Sequence, residues 1–119
     1  VRLTSWAVSF GFTLLVEVPV GAWRLGDLPR RRVLAALVAA TTLTHPVLWW
    51  VLPWAFDDYW TFVVVGEVAV VLVEAVFLRF AVPAPARDAL SASLWANGAS
   101  YLAGILLRSV GLWPGWVGT

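Results

Sequence analysis

Four apolar stretches, each close to twenty residues long, fill most of this 119-residue chain. They run over about 3–23, 33–54, 60–80 and 89–107, joined by short links at 24–32, 55–59 and 81–88. A helix needs about 20 such residues to cross about 30 Å of hydrocarbon. The expected fold is therefore all-α: one transmembrane domain over 1–119, with four helices packed as two antiparallel hairpins because the links are short. Composition supports lipid as the surroundings. Apolar residues make up 61% of the chain and charged residues 13%, whereas a folded domain this small buries only about 60–70% of the surface it exposes when unfolded. The remaining apolar surface has to face something other than water.

Two other membrane or targeting readings fit less well. Strands of a membrane barrel are about 9–11 residues long and alternate in polarity, but runs such as 33–40 and 68–73 are apolar without alternation. A signal peptide is disfavoured for the first stretch. It is long, carries Glu17, and lacks a small-residue cleavage site before Arg24.

Charge placement gives an expected orientation. Arg24, Arg30, Arg31 and Arg32 occupy the first link, and Arg79 and Arg87 flank the third, against only Arg2 and Arg108 on the other side. An excess of arginine marks cytoplasmic loops, so both termini are expected outside the cytoplasm. Trp6, Trp23, Trp54, Trp60, Trp113 and Trp116 fall near the expected interfaces, as amphipathic rings prefer, while Trp49, Trp50 and Trp95 lie deeper. An Arg-, Ala-, Val- and Trp-rich composition points to a bacterial chain, and so to the bacterial inner membrane.

Several chemistries are excluded. There is no cysteine, hence no disulfide or thiolate site, and no lysine for a Schiff base or a phosphate-binding loop. A net charge of +1 without a basic stripe gives no nucleic-acid signal.

The residues that demand a reason are polar groups inside the apolar stretches. A charge at mid-membrane costs about 2.5–3.5 kcal/mol on insertion scales, yet Glu17, His45, Glu67 and Glu74 all fall within expected spans, with Thr41, Thr42, Thr44, Asn97 and Ser100. At about 1.5 Å rise per residue, Glu17 and Glu74 lie about 9 Å from the cytoplasmic helix ends. On that scale Asn97 lies at about 13 Å, and His45, Ser100 and Glu67 at about 18–20 Å. Glu67 and Glu74 share one helical face, as do Ser93, Asn97, Ser100 and Gly104. These faces are expected to build a polar track from the cytoplasmic third to mid-membrane.

Structural explanations stand beside the functional ones. Ala96, Ser100 and Gly104 are spaced for close helix packing, and Asn97 reads first as an interhelical hydrogen-bond anchor. Glu17 and Glu74 have structural alternatives: protonated and merely hydrogen-bonded, or paired with Arg24 or Arg79 reaching in from the interface. Pro19 and Pro46 each remove a backbone donor and are expected to kink their helices beside Glu17 and His45. His45 is expected either as a histidine hydrogen-bonded beside the kink or, opposite Glu67 at mid-membrane, as a proton acceptor or ligand.

The order Glu17-x-Pro19, Thr42-x-x-His45-Pro46, Glu67 with Glu74, and Asn97-x-x-Ser100 resembles small bacterial four-helix membrane proteins of uncharacterised function. The resemblance covers nearly the whole chain. It implies that these polar positions recur as a set and carries no activity with it.

The leading functional expectation is a proton- or cation-handling membrane component, working as a homo-oligomer or with a partner. The alternative is an accessory subunit of a larger membrane complex, one variant of which places a haem or chlorophyll-type ligand on His45. With one histidine and no methionine or cysteine, two-sided haem ligation within one chain is excluded. An intramembrane enzyme with a Ser100–His45 dyad is the third reading, weakened by the lack of an oxyanion hole in an unbroken helix. Any metal site would draw on His45, Glu67 and Glu74, although the sequence requires no cofactor.

Overall fold

The computed structural model describes residues 2–114. Among these residues the chain forms four helices: α1 (Arg2–Arg24), α2 (Arg30–Trp50), α3 (Tyr59–Ala81) and α4 (Ala86–Ser109). All four are long and apolar enough to cross a membrane, and the described residues contain no strand. Trp116 lies outside the described residues.

Helix boundaries follow local chemistry more closely than they follow apolarity. Pro29 and Pro85 stand immediately before α2 and α4 with φ of −55° and −54°. Each supplies a preset backbone, has no N–H to leave unpaired, and accepts the first helical bond on its carbonyl from Val33 and Ala89. The charged residues Arg30, Arg31, Arg32, Arg87 and Asp88 are thereby helical, three positions earlier than the apolar runs begin. At its other end α2 stops at Trp50, short of the expected 54. Pro53 lies just beyond, and Leu52–Ala55 turns as a 3-10 helix instead. Asp58 caps α3: the Thr61 N–H donates to its Oδ2 at 2.7 Å and the Thr61 hydroxyl at 2.8 Å. These bonds favour the ionised carboxylate and hold it below the usual carboxylate range, the backbone N–H contributing most.

Contacts that descend one helix climb the next, so each neighbouring pair is antiparallel. Thr13 meets His45 while Glu17 meets Thr41; Gly66 approaches Leu48 while Glu74 meets Thr44. Helices α1, α2, α3 and α4 form a closed ring in which α4 returns to α1, with no close backbone approach across either diagonal. Such a ring leaves its axis to side chains or to empty space. The two ends of the bundle resolve this choice differently.

At the arginine-rich end the axis is filled. Leu25, Val33, Leu37, Leu78, Val82 and Ala92 pack there in one buried cluster, with Leu78 and Ala92 fully enclosed. Gly21 permits the closeness: a Cβ on it would lie 2.6 Å from Leu37 Cδ2. Arginines tie off the links around this plug. Arg32 Nε donates to the Ala81 carbonyl at 2.8 Å, where it also complements the C-terminal end of α3, and Arg79 donates to the Ala84 carbonyl at 3.2 Å.

The outward faces are apolar. Leu15 is 77% exposed, and Val64, Leu72, Val76 and Leu102 are likewise open. A patch of that extent suits lipid or a partner rather than water. Trp23, Trp54 and Trp60 lie exposed near helix ends, whereas Trp6 and Trp113 turn partly inward.

Candidate functional site

Away from the plug the axis opens into a cavity of about 660 Å³. Its floor is set by Glu17, Thr41, Thr44, Glu74, Asn97 and Ser100, and its mouth by Asp57, Asp58, Tyr59 and Arg108 near the Leu52–Ala55 turn. The polar space therefore runs from that end to the middle and stops. The sequence-based track, drawn from the arginine-rich third inward, has the opposite direction. The small and aliphatic residues that line up in that third, Ala36, Ala89 and Ala92 with Leu37 and Leu78, close the axis instead of leaving it wet.

Two carboxylates anchor the floor. Ser100 Oγ donates to Glu17 Oε2 at 2.6 Å and Thr41 Oγ1 donates to Oε1 at 3.4 Å. Thr44 Oγ1 donates to Glu74 Oε2 at 2.7 Å and Asn97 Nδ2 donates to Oε1 at 2.7 Å. Glu17, Glu74, Asn97, Thr41 and Thr44 are all buried. Every helix contributes, and the bonds link α1 to α2 and α4, and α3 to α2 and α4. Neither carboxylate is held by an arginine: Arg24 donates to Ser91 Oγ at 2.7 Å and Arg79 to the Ala84 carbonyl.

Side-chain direction explains why the expected depths collapse into one layer. Helical side chains lean toward their own N-terminus. α1 and α3 start at the open end, so Glu17 and Glu74 climb toward it. α2 and α4 start at the plugged end, so Thr41, Thr44, Asn97 and Ser100 lean down to meet them.

The hydroxyl partners have a second acceptor within reach. Ser100 Oγ lies 3.1 Å from the Asn97 carbonyl, and Thr44 Oγ1 lies 3.1 Å from the Ala40 carbonyl. A hydroxyl has one proton to donate and can also accept. Facing an ionised carboxylate it donates to it. Facing a protonated one it accepts the carboxylic O–H and turns its own proton to the backbone carbonyl. Both protonation states therefore leave the pair satisfied with heavy atoms in place. That is a proton-exchangeable arrangement.

Asn97 also donates to the Ser93 carbonyl at 2.9 Å, and Ser93 Oγ donates to the Val71 carbonyl at 2.7 Å, pinning α4 to α3. Glu67 lines the cavity above Glu74, half-buried, and makes no hydrogen bond to a described residue.

His45 sits on the cavity wall in an aromatic surround. Its Nε2 lies 3.4 Å from Thr13 Oγ1, while Trp6, Phe10 and Trp49 surround the ring with centroids 5.4–6.2 Å away. Nδ1 is buried without a hydrogen-bond partner. His45 and Glu67 both line the cavity without bonding each other, and no group of three or more His, Asp or Glu among the described residues is placed to hold a metal ion. A haem or pigment on His45 would have to displace Thr13 or the surrounding rings. Ser100 donates to Glu17 and is not paired with His45, so the dyad of the enzyme reading does not form.

Pro19 and Pro46 lie inside helices that continue past them. Ala96 is buried, as packing requires, but a Cβ on Gly104 would meet nothing within 4 Å. Gly104 borders the cavity rather than a tight helix crossing. Thr13 and Phe10, absent from the sequence-based set, were findable: they lie four and seven positions before Glu17, on its helical face.

The chain matches no family model, no curated protein and no solved structure. What the site does has to be argued from its own residues.

Proposed function

We propose that this chain is a multi-pass membrane protein that handles protons or cations at a Glu17–Glu74 centre reached from one side of the membrane. The observation that carries this is the pair of carboxylates on the cavity floor, each facing a hydroxyl with an alternative acceptor. Arginine bias supports placing the plugged end in the cytoplasm and the cavity mouth, with both termini, on the other side. Asp57 and Asp58 at the mouth add negative charge where a cation would enter.

A full crossing requires the plug to open or a second copy of this chain to complete the route. An outer groove along α2 favours the latter and also keeps the accessory-subunit reading in play. Ala35, Ala39 and Thr42 leave a shallow apolar channel bounded by Leu34, Leu43 and Phe77, a shape that admits another helix.

Proton flux in proteoliposomes carrying a trapped pH dye tests the proposal. Glutamine keeps the shape of glutamate, replaces one acceptor oxygen by an N–H donor, and does not titrate. The Glu17→Gln/Glu74→Gln protein, checked for assembly by size exclusion, should fall to the rate of protein-free liposomes. Unchanged flux in that variant, or no flux in the parent protein, refutes the proposal. Absence of flux together with co-purification of another membrane chain would establish the accessory role.

A further inference from the structure

The cavity is built for more than a bare ion. Its volume of about 660 Å³ sits in the range of about 300–1,000 Å³ that small-molecule sites occupy. A metal cation seeks several ligands converging at short range, and no three His, Asp or Glu side chains converge in that way among the described residues. The walls are aromatic instead: Phe12, Trp49, Phe62, Tyr101 and Trp113 line the space between mouth and floor.

One cation already uses such a wall. At the mouth the Arg108 guanidinium carbon lies 4.8 Å from the centre of the Trp113 ring, and Phe12 meets that same ring edge-on at 5.2 Å. Ring faces attract cations electrostatically, more strongly where water is excluded. Below the rings the floor's donors, Ser100, Thr41, Thr44 and Asn97, are already engaged with Glu17 and Glu74. Ionised carboxylates offer lone pairs and no donors, and Glu67 stands midway with no hydrogen bond to a described residue. Apolar walls over an anionic floor match a molecule with a charged N–H end and an apolar body.

Resting on the function proposed above, we propose that the cavity seats an organic ammonium compound, primary or secondary, with an aromatic or short aliphatic body. Its N–H groups bond the Glu17 and Glu74 carboxylates and its body lies against Phe12, Trp49 and Phe62. The hydroxyl switches then act in exchange: a protonated floor turns Ser100 and Thr44 to their backbone acceptors, and the arriving ammonium takes the place of the proton on one carboxyl, while the other stays protonated and accepts through its carbonyl oxygen. Charge is conserved, one proton leaving for each cation bound at an initially protonated carboxyl.

The test is calorimetric titration of the protein in lipid nanodiscs with 2-phenylethylammonium chloride, with 2-phenylethanol as uncharged isostere and sodium chloride as inorganic cation. The ammonium should bind at least about tenfold tighter than the alcohol, with proton release read from the buffer dependence of the heat. Trp49→Leu should weaken it several-fold. Glu67→Gln, which removes no hydrogen bond to a described residue, should weaken it also, a control should the Glu17→Gln/Glu74→Gln protein not assemble. Equal binding of the alcohol, displacement by equimolar sodium, or no ammonium binding overturns the inference. If wild-type liposomes still conduct protons while the amine fails to bind, only the ligand class falls. Binding without flux sustains the ligand class and removes the transport role.

Discussion

Asn97→Leu should destabilise the bundle by about 2–4 kcal/mol, well above the average interhelical hydrogen bond in a membrane, about 0.6 kcal/mol. The difference lies in what is left behind. Asn97 Nδ2 donates to Glu74 Oε1 at 2.7 Å, and its removal leaves that buried carboxylate oxygen without a protein donor. Leaving such a group unpaired costs far more than the bond itself contributes. Adding Glu74→Leu removes the stranded group, so the double variant should recover most of the loss. Thr44 keeps the Ala40 carbonyl as acceptor, and Ser93 still donates to the Val71 carbonyl. Unfolding in mixed detergent micelles measures both proteins. A single-variant loss near 0.6 kcal/mol, or additive losses in the double, would show that the cluster is looser than its distances imply.

Leu78→Ala should cost about 2–5 kcal/mol, because a fully buried leucine leaves a void that its neighbours only partly fill. Leu72→Ala on the same helix, half-exposed on the outer face, should stay within about 0.5 kcal/mol. Leu78 matters for a second reason. It lies four residues beyond Glu74, one turn below it on the same face of α3, between the cavity floor and the plugged end. Truncating it opens the plug at its upper edge. A raised passive proton leak in Leu78→Ala liposomes, absent in Leu72→Ala, is the expected functional sign.

How much was legible in the sequence differs between fold and site. The four helices were plain, because a bilayer crossing demands about 20 apolar residues and little else in the chain competes with that signal. Their ends were less so. Apolarity carried the second helix to 54, whereas Pro53 stops α2 at Trp50 and forces the Leu52–Ala55 turn. Charge alone makes Arg30–Arg32 and Arg87–Asp88 look like links, whereas Pro29 and Pro85 start the helices early enough to include them.

For the site, the cost of burying a carboxylate pointed to Glu17 and Glu74, and small polar residues at helical spacing pointed to Asn97 and Ser100. The partnerships were hidden. Counting rise along each axis placed Ser100 a full layer from Glu17, yet the two bond at 2.6 Å because their side chains lean in opposite senses. Thr41 and Thr44 were marked only as neutral polar groups near Pro46, while in the structure they face the two carboxylates. Which end would be dry was not readable either. Alanine and leucine patterns look alike whether they face lipid or pack across an axis.

The chain has no cysteine, which makes single-cysteine accessibility a clean probe of a one-ended cavity. Ser9→Cys, Thr13→Cys and Gly104→Cys border the space; Leu78→Cys and Ala92→Cys lie in the plug. In sealed vesicles a charged, membrane-impermeant thiol reagent should modify the first three from the side of the cavity mouth only, and the last two from neither side. Modification of Ala92→Cys, or of the cavity positions from the arginine-rich side, would contradict a blind cavity that ends on Glu17 and Glu74.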